Sequence, residues 1–287
     1  HDSAFVYLTE DIYPDIAVEM GKVPRGSSME LALESAIGWS QRSAERVIVI
    51  GRCMEDLVVR KGVDPERMRL VANWADPEEL YPIPDDKNPM VEELGLKGKF
   101  SLVYSGNMGW GHDFSTFLGA AERMRGEDDV RFVFIGAGHR RKELERAKEE
   151  RSLDNVMLLP YQPREVLLQS LNLGQVAMIS QRTCVDGLLV PCKLYGILAN
   201  AKPLLFVGSE SCEVGQTIKA LDCGYVLAQG GIDRMEAAIA ALRHAAARRA
   251  ALGARARGAL VDKYQRILAL GQYEQILFEA VEERSAR

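Results

Sequence analysis

Six short apolar runs recur through the larger, later part of the chain, at residues 100–104, 131–135, 155–159, 176–180, 204–207 and 224–227. Runs of that length bounded by glycine, proline and polar residues read as buried strands. Between them Phe114, Phe117, Leu118 and Ala121 fall at i, i+3, i+4 and i+7, and Val214, Ile218 and Leu221 at i, i+4 and i+7. Such spacing places these residues on the core-facing stripe of a helix, not against a cofactor. It predicts helices over about 114–125, 140–152, 163–172, 192–201, 213–221 and 233–248. Strands alternating with helices build a parallel, doubly wound α/β sheet with right-handed crossovers.

The first part of the chain has the same alternation in shorter form. Ala4 to Leu8, Val47 to Ile50 and Met68 to Ala72 read as strands, and residues 27–44 as a helix with Ser28 as its N-cap and Met29, Leu31, Leu33 and Ile37 among its apolar positions. A further helix from Met54 to Lys61 stops at Gly62. From Asn73 to Lys99 the composition turns to proline, glycine and acids, which marks a linker between domains. The expected organisation is therefore an incomplete α/β domain over 1–72, a linker over 73–99, a Rossmann-like domain over 100–258 and a helical segment over 259–287 interrupted near Gly271. The charged run from His139 to Arg151 reads as a solvated helix face, and so does the acid-free run from Arg243 to Arg257, for which contact with anionic headgroups is the alternative.

Composition narrows the class. With 47% hydrophobic and 27% charged residues and a net charge of −5, the chain is that of a globular protein without the basic excess of a nucleic-acid binder. No apolar run approaches the roughly 18 residues of a membrane span. Five cysteines, at 53, 184, 192, 212 and 223, form no C-x-x-C pair and suit a reducing cytosol. The start, His1-Asp2-Ser3, has no initiator Met and no signal-peptide character, and reads as the start of a fragment.

The candidate chemistry lies where the strands end. The first strand of the larger part runs into Ser105-Gly106-Asn107-Met108-Gly109-Trp110-Gly111-His112-Asp113, a glycine loop ahead of a helix that lets backbone approach a diphosphate. Its spacing is G-x-x-G-x-G and no acid follows the next strand, which disfavours NAD. Gly136-Ala137-Gly138, Pro160-Tyr161-Gln162-Pro163 and Ser180-Gln181-Arg182-Thr183 end the next three strands, so all four loops face one crevice. Asp11 follows the opening strand; it is a ligand group or a cap ahead of Pro14 with equal weight. Pro191 opens a helix carrying Lys193, and Pro203 ends it. No D-x-D occurs and the four histidines, at 1, 112, 139 and 244, are scattered, so no metal site is expected; phosphate charge falls to Lys193, helix N-termini and Arg182.

Four segments in order, Arg69 to Asp76, Val103 to Gly109, Asn155 to Pro160 and Val190 to Phe206, resemble the family 4 retaining glycosyltransferases of the B fold, within it the bacterial surface-polysaccharide branch similar to L-fucosamine transferases. The resemblance implies a cytoplasmic enzyme of two Rossmann-like domains, with a nucleotide-sugar as substrate and no cofactor or metal. Residues 100–258 would hold the donor, UDP being the expected nucleotide, and the first domain a lipid-linked acceptor glycan at the inner face of the membrane, with a peripheral membrane contact left open. It implies that about 100 residues of the first domain precede His1 and that the last segment returns to that domain. Gly106, Asn107, Gly109, Gly136, Gly138, Tyr161, Arg182, Asp186, Lys193, Tyr195 and Glu213 would contact the donor, with Asp11 and Lys193 catalytic. One departure stands out: the glutamate that grips the ribose in this family falls at Gly196. A nucleotide-sugar 2-epimerase of the same architecture and a non-catalytic nucleotide-binding subunit are the competing readings.

Overall fold

The computed structural model describes residues 3–286. Its first part holds β1 (Val6–Thr9), α1 (Asp15–Glu19), α2 (Ser28–Ser43), β2 (Arg46–Val49), α3 (Arg52–Arg60) and β3 (Met68–Leu70), with the strands parallel in the order β1-β2-β3. The cap of α2 is Ser27, not Ser28: its hydroxyl accepts from the Glu30 amide at 3.2 Å. Met29, Leu31, Leu33 and Trp39 of α2 are exposed and only Gly38 and Gln41 are buried. Apolar residues two apart cannot share one helical stripe.

The stretch expected to be a linker is partly structured. Its second half carries α4 (Pro89–Glu93), capped by Asn88, and Met90, Val91 and Leu96 pack with Val103, Val133 and Ile135. That half is thus packed onto the larger sheet rather than strung between the two.

The larger sheet contains β4 (Phe100–Ser105), β5 (Val130–Ile135), β6 (Val156–Leu159), β7 (Val176–Ser180), β8 (Leu204–Val207) and β9 (Gly224–Leu227), all parallel, in the order β6-β5-β4-β7-β8-β9. Between them run α5 (Ser115–Arg123), α6 (Arg141–Glu150), α7 (Leu167–Leu171), α8 (Lys193–Ala199) and α9 (Glu213–Leu221). Phe117, Leu118 and Ala121 of α5 and Val214 and Ile218 of α9 are buried, as their spacing predicts. Strand order reverses between β4 and β7, and the loops after those two strands flank the reversal.

The helical end of the chain departs from expectation in three ways. The helix read over 233–248 is two, α10 (Ile232–Arg243) and α11 (Ala246–Ala259). The later break falls at Gln265, extended at ψ 151°, and Gly271 lies inside α12 (Arg266–Ser285). Nor is the arginine run freely solvated: Arg257 donates to the carbonyls of Leu80, Ala199 and Pro77 at 2.7, 2.7 and 2.9 Å, and Arg243 bonds Asp129 and Glu127. These arginines hold the carbonyls and carboxylates left open where helices and connecting segments end.

α12 lies against the smaller sheet. Ala269 and Ile276 pack with Ile48 and Val71, Tyr273 meets Trp74 edge-on, and Glu279 bonds Arg69 at 2.8 Å. The core between α1, β2 and α3 also takes in Val185, Leu188 and Val190 from the loop after β7. No helix among the described residues is long and apolar enough to cross a membrane.

Candidate functional site

The crevice at the strand reversal is walled by two interlocked glycine loops. Gly106 donates to Ile135 O at 3.0 Å and Met108 to Ala137 O at 2.7 Å. Gly136 sits at φ 133°, and a Cβ there would lie 2.1 Å from the carbonyl oxygen of Gly106. Only glycine permits that approach. Gly138 wraps onto Asn107 and Met108 in the same way, and Gly109 lies beside the Asn107 amide.

Lys193, the first residue of α8, enters this wall from the other side of the reversal. Its Nζ bonds the Tyr104 hydroxyl at 2.5 Å, lies 3.9 Å from the centre of that ring, and is 3.5 Å from where a Gly106 side chain would begin. Tyr104 in turn donates to Asn107 O at 2.6 Å. Burial pushes the ammonium down to about 7 and the phenol of Tyr104 well above its ordinary value. A lysine held by one neutral hydroxyl, with no carboxylate against it among the described residues, is a charge awaiting an anion.

His112 completes this end of the crevice. Its ring stands edge-on to Tyr104, its Nδ1–H donates to Ser180 O at 2.5 Å, and burial, helped by the Lys193 charge, lowers its pKa to about 3. It is therefore neutral, with Nε2 as an acceptor. The helix that follows is not an open anion site. Asp113 already accepts from the Ser115 amide at 2.9 Å, which places a carboxylate at the N-terminus of α5.

The other expected residues are distributed around this centre. Tyr161 is 54% exposed, with a ring carbon 3.4 Å from the Cβ position of Gly136. Arg182 stacks on Trp110 at 4.3 Å, and its amide bonds Gly111 O. Asp186 accepts from Gln181 at 3.0 Å, and burial raises its pKa. Asp11 does not cap α1. It bridges to Leu189, which brings it to the loop carrying Arg182 and Asp186, and burial, then the Glu10 charge, raises its carboxyl.

Two expected contacts take other roles. Tyr195 is 1% exposed and packs on Tyr264 at 5.3 Å, because the third residue of α8 turns inward from Lys193. Glu213 is engaged across the two sheets: it accepts from the backbone amide of Arg52 at 2.7 Å and from its guanidinium at 2.8 Å. Tyr104 and Arg52 lie outside the loops that the sequence assigns to the crevice, and His112 and Ser180 lie in those loops without being singled out. Each is placed by pairing between segments remote in sequence, although Tyr104's position one residue before the glycine loop was a usable hint.

Beside Lys193 a cavity of about 590 Å³ opens between α7, α8 and residues 74–80, with Ser105, Gly196, Glu79 and Arg164 in its lining. Gly196 faces it with only the end of Leu80 3.7 Å from its Cβ position. Among the described residues, no group of three or more histidine, cysteine or acidic side chains is arranged to hold a metal ion.

Comparison with known proteins accords with this geometry. The chain is 29% identical to "Probable glycosyltransferase WbjE" of Pseudomonas aeruginosa over 225 residues, 77% of this chain and 55% of that protein. It is 26% identical over 240 residues to "Putative colanic acid biosynthesis glycosyl transferase WcaI" of Escherichia coli (strain K12), covering 82% of this chain and 58% of that one. The chain thus spans just over half the length of these relatives. In fold it matches Anabaena Alr3699/HepE, solved in complex with UDP-glucose, at a TM-score of 0.76 and 15% identity, over 99% of this chain and 72% of that one. Residues 86–259 match the model of the glycosyl transferases group 1 family, to which this chain belongs.

Proposed function

We propose that this chain forms the donor-binding part, with a share of the acceptor side, of a glycosyltransferase that moves a sugar from a nucleoside diphosphate, UDP being the expected one, to a lipid-linked glycan in bacterial surface-polysaccharide assembly. The observation that carries this reading is the Lys193 ammonium, held on Tyr104 at the edge of the glycine loops with no carboxylate beside it among the described residues. A diphosphate in the crevice supplies the missing anion. Lys193 and the loop amides then stabilise the charge that develops on the leaving diphosphate as the sugar approaches an oxocarbenium-like state. Asp11 and Asp186 line the neighbouring loop, where the sugar is expected. The names of WbjE and WcaI support the reaction class, and the UDP-glucose bound to HepE supports the nucleotide. Work at the inner face of the cytoplasmic membrane belongs to the same proposal.

Calorimetry with UDP, GDP, ADP and CDP tests it. UDP is expected to bind, Lys193→Ala to weaken it by about 10- to 100-fold, and EDTA to leave it unchanged. Normal UDP binding by Lys193→Ala removes the phosphate assignment, and loss with EDTA that Mg²⁺ restores removes the metal-free reading. Binding of none of the four overturns the donor site.

A further inference from the structure

On the outer side of the glycine loop a second recess, of about 470 Å³, is lined by Trp110, His139, Arg140, Lys142, Glu143 and Arg146. It holds three fixed cations against one carboxylate, in a chain whose net charge is −5. Glu143 is already engaged by Arg140 at 2.8 Å, while the Arg140 Nε is buried without a partner. Arg146 reaches Glu150 only at 3.9 Å and is 71% exposed, and Lys142 forms no salt bridge among the described residues. The recess opens at the N-terminus of the ten-residue α6, whose dipole adds to the same sign. The solvated face read from the sequence is thus also concave and cationic, with an indole in its wall.

That indole ties the recess to the crevice. Trp110 belongs to the loop between Gly109 and Gly111, carries Arg182 on its ring and packs against the core of the first part, which takes in Val185, Leu188 and Val190. The backbone of Arg140 donates to Met108 O at 3.0 Å, so α6 is pinned to the same loop. An aromatic plane beside arginine and lysine suits a ligand with a ring next to a phosphate.

We propose that this recess binds a sugar phosphate, the sugar ring against Trp110 and the phosphate against Lys142 and Arg146. Because Trp110 also packs against the core of the first part, such a ligand is the phosphorylated end of the acceptor; that last assignment, unlike the binding itself, rests on the transferase reading above.

The test is calorimetric titration of the chain with glucose 1-phosphate and with inorganic pyrophosphate while saturating UDP fills the crevice. Glucose 1-phosphate is expected to bind at one site. The double variant Lys142→Ala/Arg146→Ala should weaken it by about tenfold or more with UDP affinity unchanged. Trp110→Ala should weaken glucose 1-phosphate while sparing pyrophosphate. The proposal is overturned by absence of binding, by an unaltered affinity in the double variant, or by competition between glucose 1-phosphate and UDP. Binding to phosphatidylglycerol vesicles without binding of glucose 1-phosphate overturns it in favour of a lipid surface. If UDP, GDP, ADP and CDP all fail to bind, the transferase reading falls, and the same titration on Lys193→Ala still decides the recess.

Discussion

Lys193 Nζ lies 2.5 Å from the hydroxyl of Tyr104 and 3.9 Å from the centre of its ring, although 89 residues separate the two in sequence. The hydroxyl accepts from the ammonium and donates to Asn107 O, so one phenol sets both the lysine and the glycine loop. Tyr104→Phe removes the hydrogen-bond partner of the desolvated Lys193 ammonium and of the Asn107 carbonyl. It is expected to cost about 1–3 kcal/mol of stability, read by urea unfolding, and to weaken UDP several-fold. Unchanged values for both would show that the ring alone positions Lys193.

Titration of Lys193 makes stability depend on pH. Because burial lowers its pKa to about 7, the folded chain binds fewer protons than the unfolded chain between pH 7 and the ordinary lysine value of 10.5. Stability from this group therefore rises with pH across that window, and below pH 7 its penalty is constant. Lys193→Met should be the more stable protein at pH 7, and its advantage over wild type should shrink by pH 9.5. UDP binding has the opposite trend, since the diphosphate needs the ammonium: affinity should fall by up to about tenfold per pH unit above 7. A flat calorimetric profile from pH 7.5 to 9.5 contradicts this.

The pair of Arg52 and Glu213 joins α3 to α9, and therefore the smaller sheet to the larger. Arg52→Ala keeps the backbone amide on the carboxylate but leaves Glu213, 9% exposed, without its countercharge. Because the arginine side chain is 44% exposed, the full cost of a broken buried pair does not apply. A loss of about 1–3 kcal/mol is expected. Adding Glu213→Gln should recover part of it, and a double variant no more stable than Arg52→Ala refutes the charge explanation.

Gly196 offers a gain-of-binding test. A side chain there points into the cavity beside Lys193 and meets only the flexible end of Leu80. Gly196→Glu is therefore expected to fold normally, with a thermal midpoint within a few degrees of wild type. If the ribose lies against this helix, the new carboxylate should tighten UDP by about tenfold. Tighter UDP but unaltered 2′,3′-dideoxy-UDP is the outcome that supports a ribose contact; equal effects on both remove it.

Much of the fold was legible because hydrophobic spacing is a local record of burial. The strands of the larger sheet fall within a residue or so of the apolar runs, and the glycine loop after β4 and the lysine after Pro191 announced themselves by residue type. Lengths of helices were less legible. Arg266 to Ser285 runs straight through Gly271, since its packing on the smaller sheet outweighs the modest helix penalty of one glycine.

What periodicity determined, then, was which residues are buried and which loops share the strand ends. What only the tertiary structure decided was the state of the charges. Lys193 is desolvated on Tyr104, Glu213 is satisfied by Arg52, and the Asp113 carboxylate accepts from the first amide of α5. Tyr195 is drawn into the core, and Arg140, Lys142 and Arg146, with Lys142 and Arg146 solvated as their charge predicts, line a recess. The physical reason is that a pKa, an ion pair or a pocket depends on neighbours brought together from distant parts of the chain, whereas amphipathic spacing depends only on neighbours along it.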